Sequence, residues 1–523
     1  MQNKFTIFCL NRWPSFCIGL SGKVDNSDKR EYDGKYIHNI ENNGGRRVLD
    51  KTELEEILRV AQRGSDFAEV FMERTESTRI ACEARQIERV ISGREQGTGI
   101  RAVHGDNTAY GYTNALDQES LLQLADQVGR AAQAGAVSPR SPAVIRLQRR
   151  ESPVDLPVDR RPDATPVEEK VALVREAEQE ARRQDEKLLR QVTVGYADTI
   201  QQVTIANTEG VYVEDERLRC RMSVNAVAAE GAAIQTGFDS IGGTRGEELF
   251  DGEKPAGLGR QAARRALLML KARRAPAGRM AVVLSGEAGG TMVHEACGHG
   301  LEADLAQKNL SVYSGKKGVQ VASELVTVVD DGTLPGRFGS FRFDDEGNPA
   351  QKTTLIDQGI LTGYMNDRIT AARDGVAPTG NGRRQSFQHR PIPRMSTTYL
   401  APGKTPPEEI IRETKSGLLV SHMGGGQVNT TNGDFVFDVP EGYLIENGEV
   451  TTPVQGATLT GNGPEVLKQI DLVGKDFGFS LGICGKEGQG VPVSDAQPTI
   501  RIPSLVVGGI IEEDLLEEGE GDD

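Results

Sequence analysis

Between about residue 320 and residue 511 the chain is mostly a succession of short strand-like runs separated by Gly, Pro and Asn turns. A stretch this long with so few helical periods has to bury its apolar residues as sheet. The 61 glycines and the 5% aromatic content fit many strands and turns better than a helix bundle. Just upstream, "RMAVVLS" reads as a short buried strand that runs through "GEAGG" into the segment "TMVHEACGHGLEAD", beginning at Thr291.

The first half is organised differently. "VLDKTELEEILRVAQRG" reads as a helix with Leu54, Ile57, Leu58 and Ala61 on one face and a capping box from Thr52 to Glu55. Short alternating strands follow at "FAEVFME", "TRIACEA", "GIRAVH" and "TAYGYT", then helices at "DQESLLQLADQVGRAAQAG" and "TPVEEKVALVREAEQEARRQ". More strands come next, "LLRQVTVGYAD", "QQVTIANT" and "VYVEDERLRCRMSVNAVAAE". Strands, helices and strands in that order predict an α+β chain. Its N-terminal α/β layer domain spans 48–245. A β-rich, barrel-like C-terminal domain, 246–511, carries the histidine helix near its start. Residues 1–47 lack an apolar period and read as an extension, disordered or not translated, because valine can be written by a GTG start codon. N-terminal sequencing that returned a peptide from residues 1–40 would contradict an untranslated extension. Residues 512–523 read as a solvated acidic tail.

That tail holds eight of the acids behind a net charge of −15; without it the charge is −7. An acidic body with no basic cluster argues against nucleic acid as a partner. No stretch approaches the roughly 20 apolar residues of a membrane span. The N-terminal apolar run is split by Asn11, Arg12, Trp13 and Pro14, a poor secretory signal, so the expected location is cytoplasmic. Six scattered cysteines without a framework fit a reducing compartment.

The chemistry concentrates at His294, Glu295 and His299. In an HExxH helix four residues advance about 400°, which leaves the two imidazoles about 40° apart around the axis. Here the histidines are five apart, which on an ideal helix separates them by about 140°. They can meet at one metal only if the helix distorts or ends between them. Gly298 and Gly300, flanking His299, provide one means and a one-residue bulge another. A catalytic zinc usually takes three protein ligands. Glu302, Asp304 and the distant Cys484 in "GICGKEGQG" are candidates for the third, and a small buried hydrophobe is the plainer reading of Cys484.

"HEACGHGLEAD" followed by "YSGKKGVQVASELVTVVDDGT" resembles the TldD/PmbA (TldE) family of metallopeptidases. The resemblance continues through "DDEGNPAQKTTLIDQGILTGYM", "TGNGRRQS", "GGGQVNTTNGDFVFDVPEGYLIENGE" and "GATLTGNGPEVL" to "GICGKEGQGVPVSDAQPTIRI". It covers nearly all of 48–511, more loosely in the first domain. It implies metal ligands His294, His299 and Cys484, with Glu295 as the catalytic base and Cys297 as packing. The implied cofactor is Zn2+, with iron the alternative. Because the metal motif is intact, the resemblance is to the TldD-type subunit rather than the TldE (PmbA) type. It implies hydrolysis of unfolded or extended peptides, bound as an added strand, in a heterodimer with a TldE/PmbA-type subunit or in a homodimer. A non-catalytic peptide- or protein-binding regulatory subunit with a structural zinc is the alternative reading.

Overall fold

The computed structural model describes residues 6–10, 49–63, 65–133 and 144–509. The N-terminal extension, apart from residues 6–10, and the acidic tail therefore lie outside the described residues. Contacts divide the chain into two compact units. One comprises Met1–Val70, Thr98–Leu147 and Asn207–Gly210; the other comprises Phe71–Gly97, Gln148–Ala206 and Val211–Asp523.

In the first unit the helices Lys51–Gln62 and Gln118–Gln133 pack together through the faces that carry Leu54, Ile57, Leu58 and Ala61 and Leu121, Leu124, Ala125 and Val128. Their close approach depends on Gly129, where a Cβ would sit 2.7 Å from the Ala61 carbonyl oxygen. The predicted capping box is present two residues early. Asp50, not Thr52, accepts from the Glu53 amide at 2.9 Å, and the Glu53 carboxylate accepts from the Asp50 amide at 3.0 Å. Both residue pairs satisfy the same pattern, and aspartate is at least as good an N-cap as threonine. Residues 98–104 pair antiparallel with Asn107–Thr113, whose other side pairs with Thr6–Leu10.

Most of an antiparallel meander of Leu189–Asn207, Val211–Glu230 and Ala233–Gly243 belongs to the second unit. The helices Val167–Arg183 and Lys254–Leu270 share its apolar core. The sequence reads the first of these strands as two, split near Asp198. Asp198 is instead buried, accepting from Lys170 Nζ at 2.6 Å and from the Tyr196 hydroxyl at 2.8 Å, so the strand continues through it.

The rest of this unit is β-rich, as expected. A ten-stranded sheet runs from Gly426–Val428 through Asp434–Val439, Ala457–Asn462, Ile500–Gly508, Gly278–Leu284, Ser416–His422, Glu441–Glu446 and Glu449–Gln455 to Arg273–Arg274; Leu472–Val473 pairs beside Ile500–Gly508. A six-stranded sheet runs from Ile360–Leu361 through Lys352–Asp357, Val328–Asp331, Thr397–Leu400 and Gln489–Gln497 to the edge strand Gly478–Lys486. Both paths have two ends among the described residues. Side chains from both sheets and from the histidine segment form one continuous core. Among the described residues no helix is long and apolar enough to cross a membrane.

Candidate metal centre

The strand Gly278–Leu284 delivers the chain through a short turn at Gly286–Ala288 to the helical segment that begins at Thr291. One turn later the helix widens. His294–Gly298 is a π-helical turn, closed by a hydrogen bond from the His299 amide to the His294 carbonyl, five residues back. A π turn is what a spacing of five needs, because it returns residue i+5 to the face of residue i. The two imidazoles meet edge to face with ring centroids 4.9 Å apart.

The glycines act otherwise than their conformational freedom predicts. Gly298 keeps right-handed helical angles. A Cβ there would lie 2.3 Å from Met395 Sδ, and one on Gly300 would lie 2.7 Å from the Tyr313 ring. Both are small so that the widened turn can pack flush against its neighbours. The Tyr313 hydroxyl in turn donates to the Ala296 carbonyl at 2.9 Å, satisfying a group of the irregular turn. Cys297 points into the core, donates to the Val293 carbonyl at 3.2 Å, and is pushed up to about 12 by burial. It has the packing character expected of it.

Cys484 arrives from the other sheet, on the edge strand Gly478–Lys486. Its Sγ lies 3.5 Å from His299 Nε2 across 185 residues of sequence. One donor atom each from His294, His299 and Cys484 falls within 4.8 Å of the other two. Two imidazoles and a thiolate are a donor set suited to a zinc-type ion, so the residues present fit a metal. The other ring nitrogens are engaged from behind. His294 Nδ1 is 2.7 Å from Asp495 Oδ1, and His299 Nδ1 is 3.1 Å from Glu302 Oε2. Carboxylates at these positions fix ring orientation and tautomer and leave Nε2 for a cation.

Glu302 and Asp304, weighed above as third ligands, are placed outside the triad. Glu302 orients His299, and Asp304 pairs with Lys486 Nζ at 2.6 Å. Asp495 is the functional residue that sequence reasoning missed. It is the one acid in the strand "QGVPVSDAQ", and its hairpin register sets it opposite Ser480.

Electrostatics bind the triad together. Burial alone would raise the Cys484 thiol, but hydrogen bonds and charge from His294 and His299 hold it down at about 5. Burial pulls both imidazoles the other way and is outweighed. Asp495 and Cys484 raise His294 well above its ordinary value, and Glu302 with Cys484 raises His299 to about 9. Without a metal these shifts favour a thiolate between imidazoliums, whose protons a cation would replace. The metal-free chain is therefore expected to show a Cys484 thiolate already formed at pH 7, alkylated by iodoacetamide while buried Cys297 is spared. Mass-spectrometric mapping of the labelled sites checks this, and labelling of Cys484 only above pH 8 would contradict it.

The triad lines a cleft of about 1320 Å3. Glu295 sits beside it, raised by burial against the lowering influence of the two imidazoles. The same cleft is bordered by the edge strand that carries Cys484, by Gly424 and Gly425, and by Gly426 of the ten-stranded sheet. His422 also lines it, and burial followed by Arg265 pulls it down to about 4. His389 and Arg383 are not among the residues lining this cleft. Arg383 donates to the Met395 and Pro492 carbonyls, and the Arg384 guanidinium lies 4.2 Å from the Phe71 ring centroid.

A mixed α+β chain in which two histidines and a cysteine converge on a cleft has the framework of a metal-binding protein. The model of the PmbA/TldA metallopeptidase C-terminal domain matches residues 277–509, which contain the whole triad. The central-domain model matches 160–270 and the domain 1 model 68–132. The chain is 38% identical over 460 residues to a metalloprotease TldD homolog of Haemophilus influenzae, covering 86% of this chain and 94% of that protein. It is 36% identical over 463 residues to a metalloprotease of Methanothermobacter thermautotrophicus, covering 88% and 99%. The crystal structure of TldE from Thermococcus kodakarensis shares the fold, with a TM-score of 0.70 at 20% identity over 87% of this chain and all of that one. The chain belongs to the PmbA/TldD metallopeptidase family, and within it to the TldD type.

Proposed function

We propose that this chain is a zinc-dependent peptidase that hydrolyses peptide bonds in unfolded or extended polypeptides. His294, His299 and Cys484 hold the metal and Glu295 is the catalytic base. The observation that carries this reading is the convergence of three donor atoms, and only three among the described residues, on a cleft beside Glu295. A structural zinc site closes its coordination with four protein ligands, whereas a catalytic one keeps a position open. This count favours catalysis over the binding-subunit alternative.

When bound, the metal supplies a Lewis acid that polarises the scissile carbonyl and activates water. The rest is done by the protein. Glu295 accepts the proton of the attacking water and returns it to the leaving amine. Asp495 and Glu302 keep the two imidazoles in one tautomer with Nε2 presented. The strand Gly478–Lys486, which forms a sheet edge among the described residues, offers that edge to an extended peptide, an added-strand mode that gives affinity with little sequence selectivity.

Processing of modified-peptide precursors and degradation of unstructured proteins both suit such a cleft. We place the enzyme with a TldE/PmbA-type subunit, or in a homodimer, in the cytoplasm. Free Cys82, Cys220, Cys297 and Cys484 support a reducing compartment. The test is an unfolded polypeptide such as reduced, alkylated casein, incubated with the chain and its partner subunit. Stripping the metal is expected to abolish cleavage and one equivalent of zinc to restore it. Cleavage that persists in the stripped protein would overturn the reading.

A further inference from the structure

The metal ligands come from two separate elements, a helical turn and a sheet edge, and something must hold these in register. Arg394 lies behind the triad with its side chain 0% exposed. Its Nη2 donates to the Cys484 carbonyl at 2.6 Å and its Nη1 to the Gln489 carbonyl at 3.2 Å, so it grips both strands of the hairpin that presents the thiolate. Its Nε faces Glu302 Oε1 at 3.9 Å. Both of these atoms are buried and neither has a hydrogen-bond partner among the described residues. The other oxygen of that carboxylate, Oε2, receives His299 Nδ1 at 3.1 Å and Lys486 Nζ at 3.0 Å. Lys486 stands two residues beyond Cys484 on the same strand.

We infer that Arg394 is a positioning residue for the metal centre: it joins the strand that carries Cys484 to the carboxylate that orients His299, so that the thiolate and imidazole ligands are set as one unit. Lys486 makes the same connection in parallel. A guanidinium is suited to this because its rigid fork holds the two carbonyls at fixed angles while its charge faces Glu302. Deep in the core, charge attraction across 3.9 Å is little screened by solvent. This inference rests on the metal-centre reading above.

The full chain, stripped of metal, is titrated with Co2+, and the thiolate-to-cobalt charge-transfer band and the dissociation constant are recorded. Wild type, Arg394→Lys, Glu302→Gln and the double variant are compared, with circular dichroism to confirm folding. Arg394→Lys is expected to weaken Co2+ binding by about 10- to 100-fold, the range of outer-shell changes, and to shift the thiolate band. Its effect is expected to shrink in the Glu302→Gln background, because the two act through one connection. A folded Arg394→Lys chain with wild-type affinity and spectrum, or one whose effect simply adds to that of Glu302→Gln, would overturn the inference. Should Arg394→Lys fail to fold, Lys486→Gln takes its place. A shifted band there supports the shared latch, and an unchanged one overturns it. Wild-type chain that binds no Co2+ would instead sink the metal-centre reading itself.

Discussion

Replacing Cys484 with serine is expected to leave the chain folded and without its metal. The thiolate is the one proposed ligand on the six-stranded sheet, and sulfur is the donor that most favours zinc over harder cations. A serine hydroxyl at neutral pH is neither ionised nor soft. The loss in zinc affinity should exceed the roughly 100-fold upper range of outer-shell changes, enough for dialysis to empty the site. Elemental analysis of dialysed protein reads this directly, and peptide cleavage should vanish with the metal. Cys297→Ser is the control. That thiol is buried, donates to the Val293 carbonyl and lies outside the triad, so zinc content should be unchanged. Stoichiometric zinc retained in Cys484→Ser would remove Cys484 from the ligand set.

Glu295→Gln should have the opposite signature, with metal kept and turnover lost. Glutamine preserves size and polarity but cannot accept a proton. General acid–base catalysis is worth about 10²- to 10⁴-fold, so kcat should fall by that amount with zinc content and KM little changed. The pH profile follows from the same residue. Burial raises Glu295 above its ordinary value, and a base must be ionised to work. In the wild type kcat/KM should therefore fall as pH drops through this raised value, at a higher pH than an exposed glutamate would give. The residual activity of Glu295→Gln should lack that acid limb. Full activity in the variant, under conditions that exclude a contaminating protease, would assign the proton to another group.

Much of this architecture is written in local pattern. The strand runs after residue 320 and the helix face of Leu54, Ile57, Leu58 and Ala61 are short-range signals, and the structure uses them as read. The misreadings share a cause. Asp198 resembles a strand break until Lys170 is brought to it, and a partner 28 residues away leaves no local trace. The five-residue spacing at His294 and His299 does announce a distorted helix. Its residues do not say which distortion, because a π turn is stabilised by what packs on it, here Met395 and Tyr313. Glu302 stood within reach of a better reading, since residues three apart on a helical turn face one another and His299 precedes it by three. Asp495 gave less. Only the hairpin register of Gly478–Lys486 with Gln489–Gln497 puts it on the cleft, 201 residues from the histidine it orients.

A metal held by two imidazoles and one thiolate in an open site has a distinct absorption signature. Zinc-edge X-ray absorption on the purified chain measures that set without relying on activity. The expected shell is one sulfur at about 2.3 Å and two imidazole nitrogens at about 2.0–2.1 Å, with a light-atom ligand in the remaining position. A shell without sulfur, or with more than one, would contradict it.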